Sequence, residues 1–284
     1  MAEGPAARRR QELDGMDTSV LVQGVNAFVL LGGAANVIMQ LANAPVGHGV
    51  MESRVDEGNL FKNPRRRMRT TAAYLAVALH GTAEERAAMR RATNSSHAQV
   101  RSEPGAPVAY NAFDPALQKW VAACLYKGVE DAYVLAHGPL PADIAEDFLQ
   151  QGKVFGTTLQ MDADAWPATR ADFEEYWTTT TAGLAIDDRT REFLLRVVNL
   201  DYLDARIPAK VRRFRVWSTS GYLGPDFRRL MDLPWTEEDQ ARFDRFNRRT
   251  ARIVRSLPAA ARQLPVRGHL RDVRRRMARG EPLF

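Results

Sequence analysis

Helical spacing that runs along nearly the whole chain is the feature that most restricts its fold. Asp114-Pro115 places an acceptor at an N-cap and a proline at the first helical position. Beyond it Leu117, Val121, Cys124, Gly128, Ala132 and Leu135 recur every three or four residues, while Lys119, Lys127, Glu130 and Asp131 take the other face. This pattern predicts an amphipathic helix over 115–136. Thr169 with Asp172 forms a capping box ahead of a helix at 170–182, Asp187 caps 188–200, and Thr236 before Glu237, Glu238 and Asp239 opens a helix reaching 256. Further helices are expected at 20–42, 65–80, 84–101, 142–151 and 208–216. No segment alternates polar and apolar residues between hairpin turns, so the fold class predicted is all-α.

A chain of 284 residues suits one large domain. The expected organisation is a disordered or extended N-terminal arm over 1–17, then a single domain over 18–284 whose residues 206–284 form a basic C-terminal helical extension. The net charge of +6 hides an asymmetry: residues 1–205 hold 20 Lys/Arg against 26 Asp/Glu, and residues 206–284 hold 20 against 8. Taken alone, the basic part would suit a nucleic-acid or membrane-surface binder. Its arginines, however, are interleaved with Leu230, Phe243, Phe246, Ile253 and Leu257, as on the outer face of packed helices. The expectation is therefore no nucleic-acid partner, with peripheral contact to acidic lipid as the role left to these arginines.

Arg8-Arg9-Arg10 precedes an uncharged run from Thr18 to Met51, a pattern that an export signal or a membrane span would share. Gln23, Asn26, Asn36, Gln40 and Asn43 interrupt that run at helical intervals, which favours a buried helix. The single cysteine, Cys124, cannot form an intramolecular disulfide, and a reducing, cytoplasmic location is expected.

No phosphate loop, dinucleotide fingerprint, zinc-protease motif or nucleophile elbow is present. The histidines, at 48, 80, 97, 137 and 269, lack the local spacing of a metal site. His48, between Gly47 and Gly49, reads as a turn residue, and Trp120, Trp166, Trp177, Tyr74 and Cys124 read as core. Two segments stand apart. Asn63-Pro64-Arg65-Arg66-Arg67-Met68-Arg69-Thr70-Thr71 opens a helix with cations that oppose the helix dipole, and Asn94-Ser95-Ser96-His97 places a histidine at a helix end.

These segments belong to a longer succession: Leu30 to Val50, reading L-x-G-G-A-A-N-V-I-M-Q-L-A-N-A-P-V-G-H-G-V, then Pro64, Arg66, Arg69-Thr70, His97-Ala98-Gln99-Val100, Tyr110-Asn111-Ala112-Phe113-Asp114-Pro115 and Trp120. The succession resembles the MpaB-type oxygenases, the family that includes the latex-clearing proteins. The resemblance implies a globin-like multi-helix bundle enclosing a pocket for haem b. It further implies that dioxygen is used for oxidative chemistry, such as C=C cleavage, on a small apolar isoprenoid- or lipid-like substrate. Carried over by position, His97 is the iron ligand. Arg66 and Thr70 are distal catalytic residues, with Arg66 and Arg69 near the cofactor, where a guanidinium would hold a propionate or stabilise developing charge. Arg69 stands where latex-clearing members place a lysine able to reach the iron, and a guanidinium cannot take that role. Glu52, the first charge after the uncharged run, lies near that branch's catalytic carboxylate. It reads equally as a buried base of raised pKa or as a helix-end carboxylate paired with Arg54. A haem carrier or gas sensor would use the same His97 without turnover.

Overall fold

The carboxylate of Asp114 accepts from the backbone N–H groups of Ala116 and Leu117, so the central helix begins where its cap predicts and runs Pro115–His137. It stops at Gly138, whose φ of +94° lies in the left-handed region. The computed structural model describes residues 5–203 and 206–284, and over these the chain is all-α, with one isolated bridge between Arg101 and Asn111.

The central helix is interior on more than one face. Tyr126 and Tyr133 pack with Leu21, Phe148, Phe155 and Phe173, while Trp120 and Cys124 pack with Ile38, Leu194 and Phe227. Burial raises the Cys124 thiol's pKa, leaving it a packing group. The charged residues that the spacing assigned to a solvent face are not all exposed. Glu130 is buried, with Arg170 Nη1 at 2.6 Å and both Lys127 Nζ and Tyr126 Oη at 3.0 Å. Burial opposes ionisation of Glu130, but the two cations outweigh it and its pKa is lowered. Removing the carboxylate takes from Arg170 its closest carboxylate, leaving it only that of Glu174 at 3.8 Å, and takes from Lys127 one of its two carboxylates. We expect Glu130→Ala to lose about 3 kcal/mol in urea unfolding, far more than loss of an exposed ion pair.

The predicted helix over 20–42 is divided into a 3-10 turn Leu21–Gly24 and helices Ala27–Leu31 and Gly33–Leu41. Gly24 explains the first break: a Cβ there would lie 2.6 Å from the Val129 carbonyl, so only glycine lets the backbone lie against the central helix. Asn26 then caps the next helix, accepting from Phe28 N–H while donating to the Ala132 carbonyl. No helix among the described residues is long and apolar enough to cross a membrane.

The N-terminal end departs from expectation, while the C-terminal part is helical as expected. Residues 1–4 of the predicted arm lie outside the described residues, but Pro5–Asp14 is helical, anchored by buried Asp14, which accepts two hydrogen bonds from Arg90. The basic C-terminal part is woven into the core. The helix Glu237–Ser256 packs on the central helix, and Leu264–Ala278, which the sequence reading did not delimit, packs along Pro64–His80. Leu270, Val273 and Leu283 are buried there with Ala73, Val77 and Met89.

Candidate cofactor and substrate cavity

A cavity of ≈ 310 Å³, within the range of small-molecule sites, is lined by several helices. Pro64–His80 contributes Arg67, Thr70, Thr71 and Tyr74; Ala83–His97 contributes Thr93 and His97; the central helix contributes Gln118 and Val121. Most of the remaining wall is apolar, and Arg67 is the one formal charge among the described lining residues.

A chain of hydrogen bonds fixes the tautomer of His97. Gln118 Nε2 donates to the Ala112 carbonyl at 2.9 Å, which sets that amide's orientation, and it also donates to Gln160 Oε1 at 2.9 Å. Gln160 Oε1 is thereby an acceptor, while its Nε2 donates to Asn94 Oδ1. His97 Nδ1, 3.1 Å from Gln160 Oε1, must therefore carry the proton, leaving Nε2 unprotonated with its lone pair available. Burial lowers the ring's pKa, Gln160 opposes this, and Arg67 lowers it further, so His97 is neutral at pH 7. Because the folded ring binds a proton less readily than the unfolded one, its contribution to stability falls as pH drops below 6.5.

The Arg67 guanidinium has no hydrogen bond or ion pair to the protein among the described residues, and desolvation lowers its pKa. The side chain is exposed and borders the cavity. A guanidinium so placed calls for an anion or a strong acceptor in the cavity. Thr70, buried on the same wall, donates its hydroxyl to the Arg67 carbonyl at 3.0 Å and so offers the cavity its lone pairs. Tyr74 is part of this wall rather than of a sealed core, and its hydroxyl donates to the Phe155 carbonyl.

Of the residues singled out by sequence, His97 and Thr70 meet at the cavity, whereas Arg66, Arg69 and Glu52 do not line it. Arg67, Thr70, Thr71 and Tyr74 follow the i, i+3, i+4, i+7 stripe. At 100° per residue Arg66 lies about 90° from its centre and Arg69 about 150°. Those two arginines instead border a neighbouring groove. The sequence does not pick out Gln118 or Gln160, and Arg67 and Tyr110 stand within the noted segments without a role assigned to either.

Glu52 and His48 form a separate cluster behind the wall. His48 is buried inside the helix Ala44–Met51, not in a turn, with Nδ1 3.2 Å from Glu52 Oε1 and Nε2 2.7 Å from Asp187 Oδ2. Arg189 donates to Glu52 at 2.6 Å, and Arg54 pairs with Glu103 instead. Burial would raise the Glu52 pKa, but hydrogen bonds from Arg189, His48 and Tyr110 outweigh it and the pKa is lowered. The expected raised-pKa base is thus corrected, and so is the Arg54 pairing. Asp187 accepts from the Thr190 N–H at 2.6 Å, and that bond together with His48 holds its pKa down to about 2. Stability from a depressed carboxyl is complete above its ordinary value of 3.8 and is lost as pH falls toward 2. Asp187→Asn should flatten the acid-unfolding curve over that interval, read by circular dichroism.

The residues present fit a flat, mostly apolar group that carries its own metal and acidic side groups. Among the described residues no group of three or more His, Cys, Asp or Glu side chains is placed to hold a metal ion, so a metal held by His97 would need its other ligands from a macrocycle. The orphaned Arg67 would meet an acidic substituent, and the apolar walls would cover the ring.

Comparison with known proteins identifies the family. The family model described as the ER-bound oxygenase mpaB/B'/rubber oxygenase catalytic domain matches residues 22–256. An uncharacterized protein of Mycobacterium bovis and one of Mycobacterium tuberculosis are each 47% identical over 211 residues, covering 74% of this chain and 83% of theirs. No solved structure matches the chain. With the family model spanning the cavity, the tautomer-fixed His97 and most of the helical core, this chain belongs to the family of mpaB/B' and rubber oxygenase catalytic domains.

Proposed function

We propose that the protein is a haem b-dependent oxygenase acting with dioxygen on an apolar, isoprenoid- or lipid-like substrate. The observation that carries this reading is His97, a neutral imidazole on an apolar wall whose Nδ1–H is committed to Gln160 and whose Nε2 is left for a metal. Haem b bound there would supply the iron that activates dioxygen. The protein's own part is to hold and exclude. Gln160, itself held by Gln118 and Asn94, keeps the imidazole in one tautomer and orientation. Arg67 would pair with a propionate or with negative charge developing on the reacting oxygen, and Thr70 would accept from a polar group beside it. Val46, Val50, Leu75, Val121 and Leu125 keep water from the reacting alkene.

Cleavage of a carbon–carbon double bond by dioxygen places one oxygen atom on each carbon and needs no external reductant. The reading predicts that haem-loaded protein consumes dioxygen in step with carbonyl formation from unsaturated apolar compounds such as squalene. A Soret band without dioxygen uptake across a panel of such compounds would identify a carrier or sensor instead.

A further inference from the structure

The arginines that miss the cavity line a groove of ≈ 430 Å³ beside it. Arg65, Arg66 and Arg69 come from the helix Pro64–His80 and Arg276 from Leu264–Ala278, with Pro282 and Phe284 completing the lining. Four guanidiniums border this groove, and none of the described lining residues is an Asp or Glu, though Asp272 and Glu281 reach two of the arginines from beside it. Asp272 reaches Arg69 at 3.6 Å and Arg276 at 3.1 Å, and the carbonyls of Leu283 and Pro282 each accept from one of the same two arginines at 3.2 Å. These contacts fix two guanidiniums in place. Arg65 has no hydrogen bond or ion pair among the described residues.

Like charges are crowded here. Burial lowers the Arg69 pKa, Arg276 and Arg66 push it further down, and Asp272 opposes them. Arg65 and Arg66 also stand in the first turn of their helix, where the dipole disfavours cations. A bound anion would relieve both costs. Phe284 borders the groove and the apolar cavity alike, and the two hollows lie on adjacent sides of one helix. A ligand with an acidic end and a hydrocarbon body would match that succession.

We propose that the groove binds the acidic head, carboxylate or phosphate, of an amphiphilic substrate whose hydrocarbon chain passes Phe284 into the cavity. The inference rests on the cavity being the substrate-receiving site of the oxygenase proposed above. It explains why arginines expected near the cofactor stand outside the cavity, and it assigns them to substrate choice.

The test is calorimetric titration of the full chain, with and without haem, using oleate, oleyl phosphate and the neutral methyl oleate. At least one acid should bind about tenfold more tightly than the ester, the difference one charge-assisted contact makes. Arg65→Glu should erase that preference while leaving ester binding unchanged, and Arg65→Lys should keep part of it. Equal binding of acids and ester, or a preference that survives Arg65→Glu, overturns the proposal. A preference lost only in Arg67→Gln also overturns it, since the head then sits inside the cavity. Haem titration of Arg65→Glu separates the remaining source of acid groups: weakened haem binding with oleate binding intact would assign the groove to the propionates and overturn the proposal. Absence of any Soret band in the wild type would instead contradict the haem reading, which these fatty-acid titrations do not measure.

Discussion

Replacing His97 by alanine should weaken haem binding by more than about 100-fold, since even partners one shell removed from a metal change its affinity 10–100-fold. The reconstituted variant should show only the broad absorption of unbound haem, and added imidazole should restore part of a Soret band by entering the space the ring vacated. Folding is expected to survive, because His97 sits at the end of its helix and the hydrogen bond of its ring is to the Gln160 side chain. Far-ultraviolet circular dichroism checks that point, and the imidazole rescue separates a lost ligand from a lost fold.

The second large effect lies at Gln160. Gln160→Leu keeps the volume but removes the acceptor of the His97 Nδ1–H and the acceptor of the Gln118 amide. The ring is then free to take the other tautomer or to rotate. Haem affinity should fall about 10–100-fold, less than for loss of the ligand itself. Gln160→Glu should act in the opposite sense. A carboxylate accepting from Nδ1 makes the imidazole a stronger donor, which favours ferric over ferrous iron, so the reduction potential should fall relative to wild type. Potentiometry of the two variants reads this difference, and a purely structural role for Gln160 would not move the potential in the carboxylate variant.

The fold was readable where side chains announce local chemistry. Asp114-Pro115, Thr169 with Asp172, and Thr236 with Asp239 all cap helices at the expected places. The division of 20–42 was not readable, because Gly24 is required by its approach to the Val129 carbonyl, more than 100 residues along the chain. Leu264–Ala278 was hidden for another reason: its buried stripe of Leu270 and Val273 is diluted by arginines that face the groove or solvent. Spacing favoured Arg66 with Thr70 as a pair one turn apart, yet the cavity stripe is centred so that Arg67 enters it and Arg66 does not. Gln160 gave no signal at all. An amide in a loop carries no periodicity, and its role depends on Asn94, His97 and Gln118, which only the folded chain brings together.

Glu52 shows the limit of reading a charge from its sequence neighbours. Its position after a long uncharged run suggested desolvation, but Arg189, 137 residues away, supplies the hydrogen bond that reverses the sign.

Resonance Raman spectroscopy of the ferrous, haem-reconstituted protein reads the iron–histidine bond itself. The wild type should show an iron–histidine stretching band that is absent from His97→Ala and shifted in Gln160→Glu. A band that persists unchanged in His97→Ala, or a wild-type protein that takes up no haem, would contradict the account.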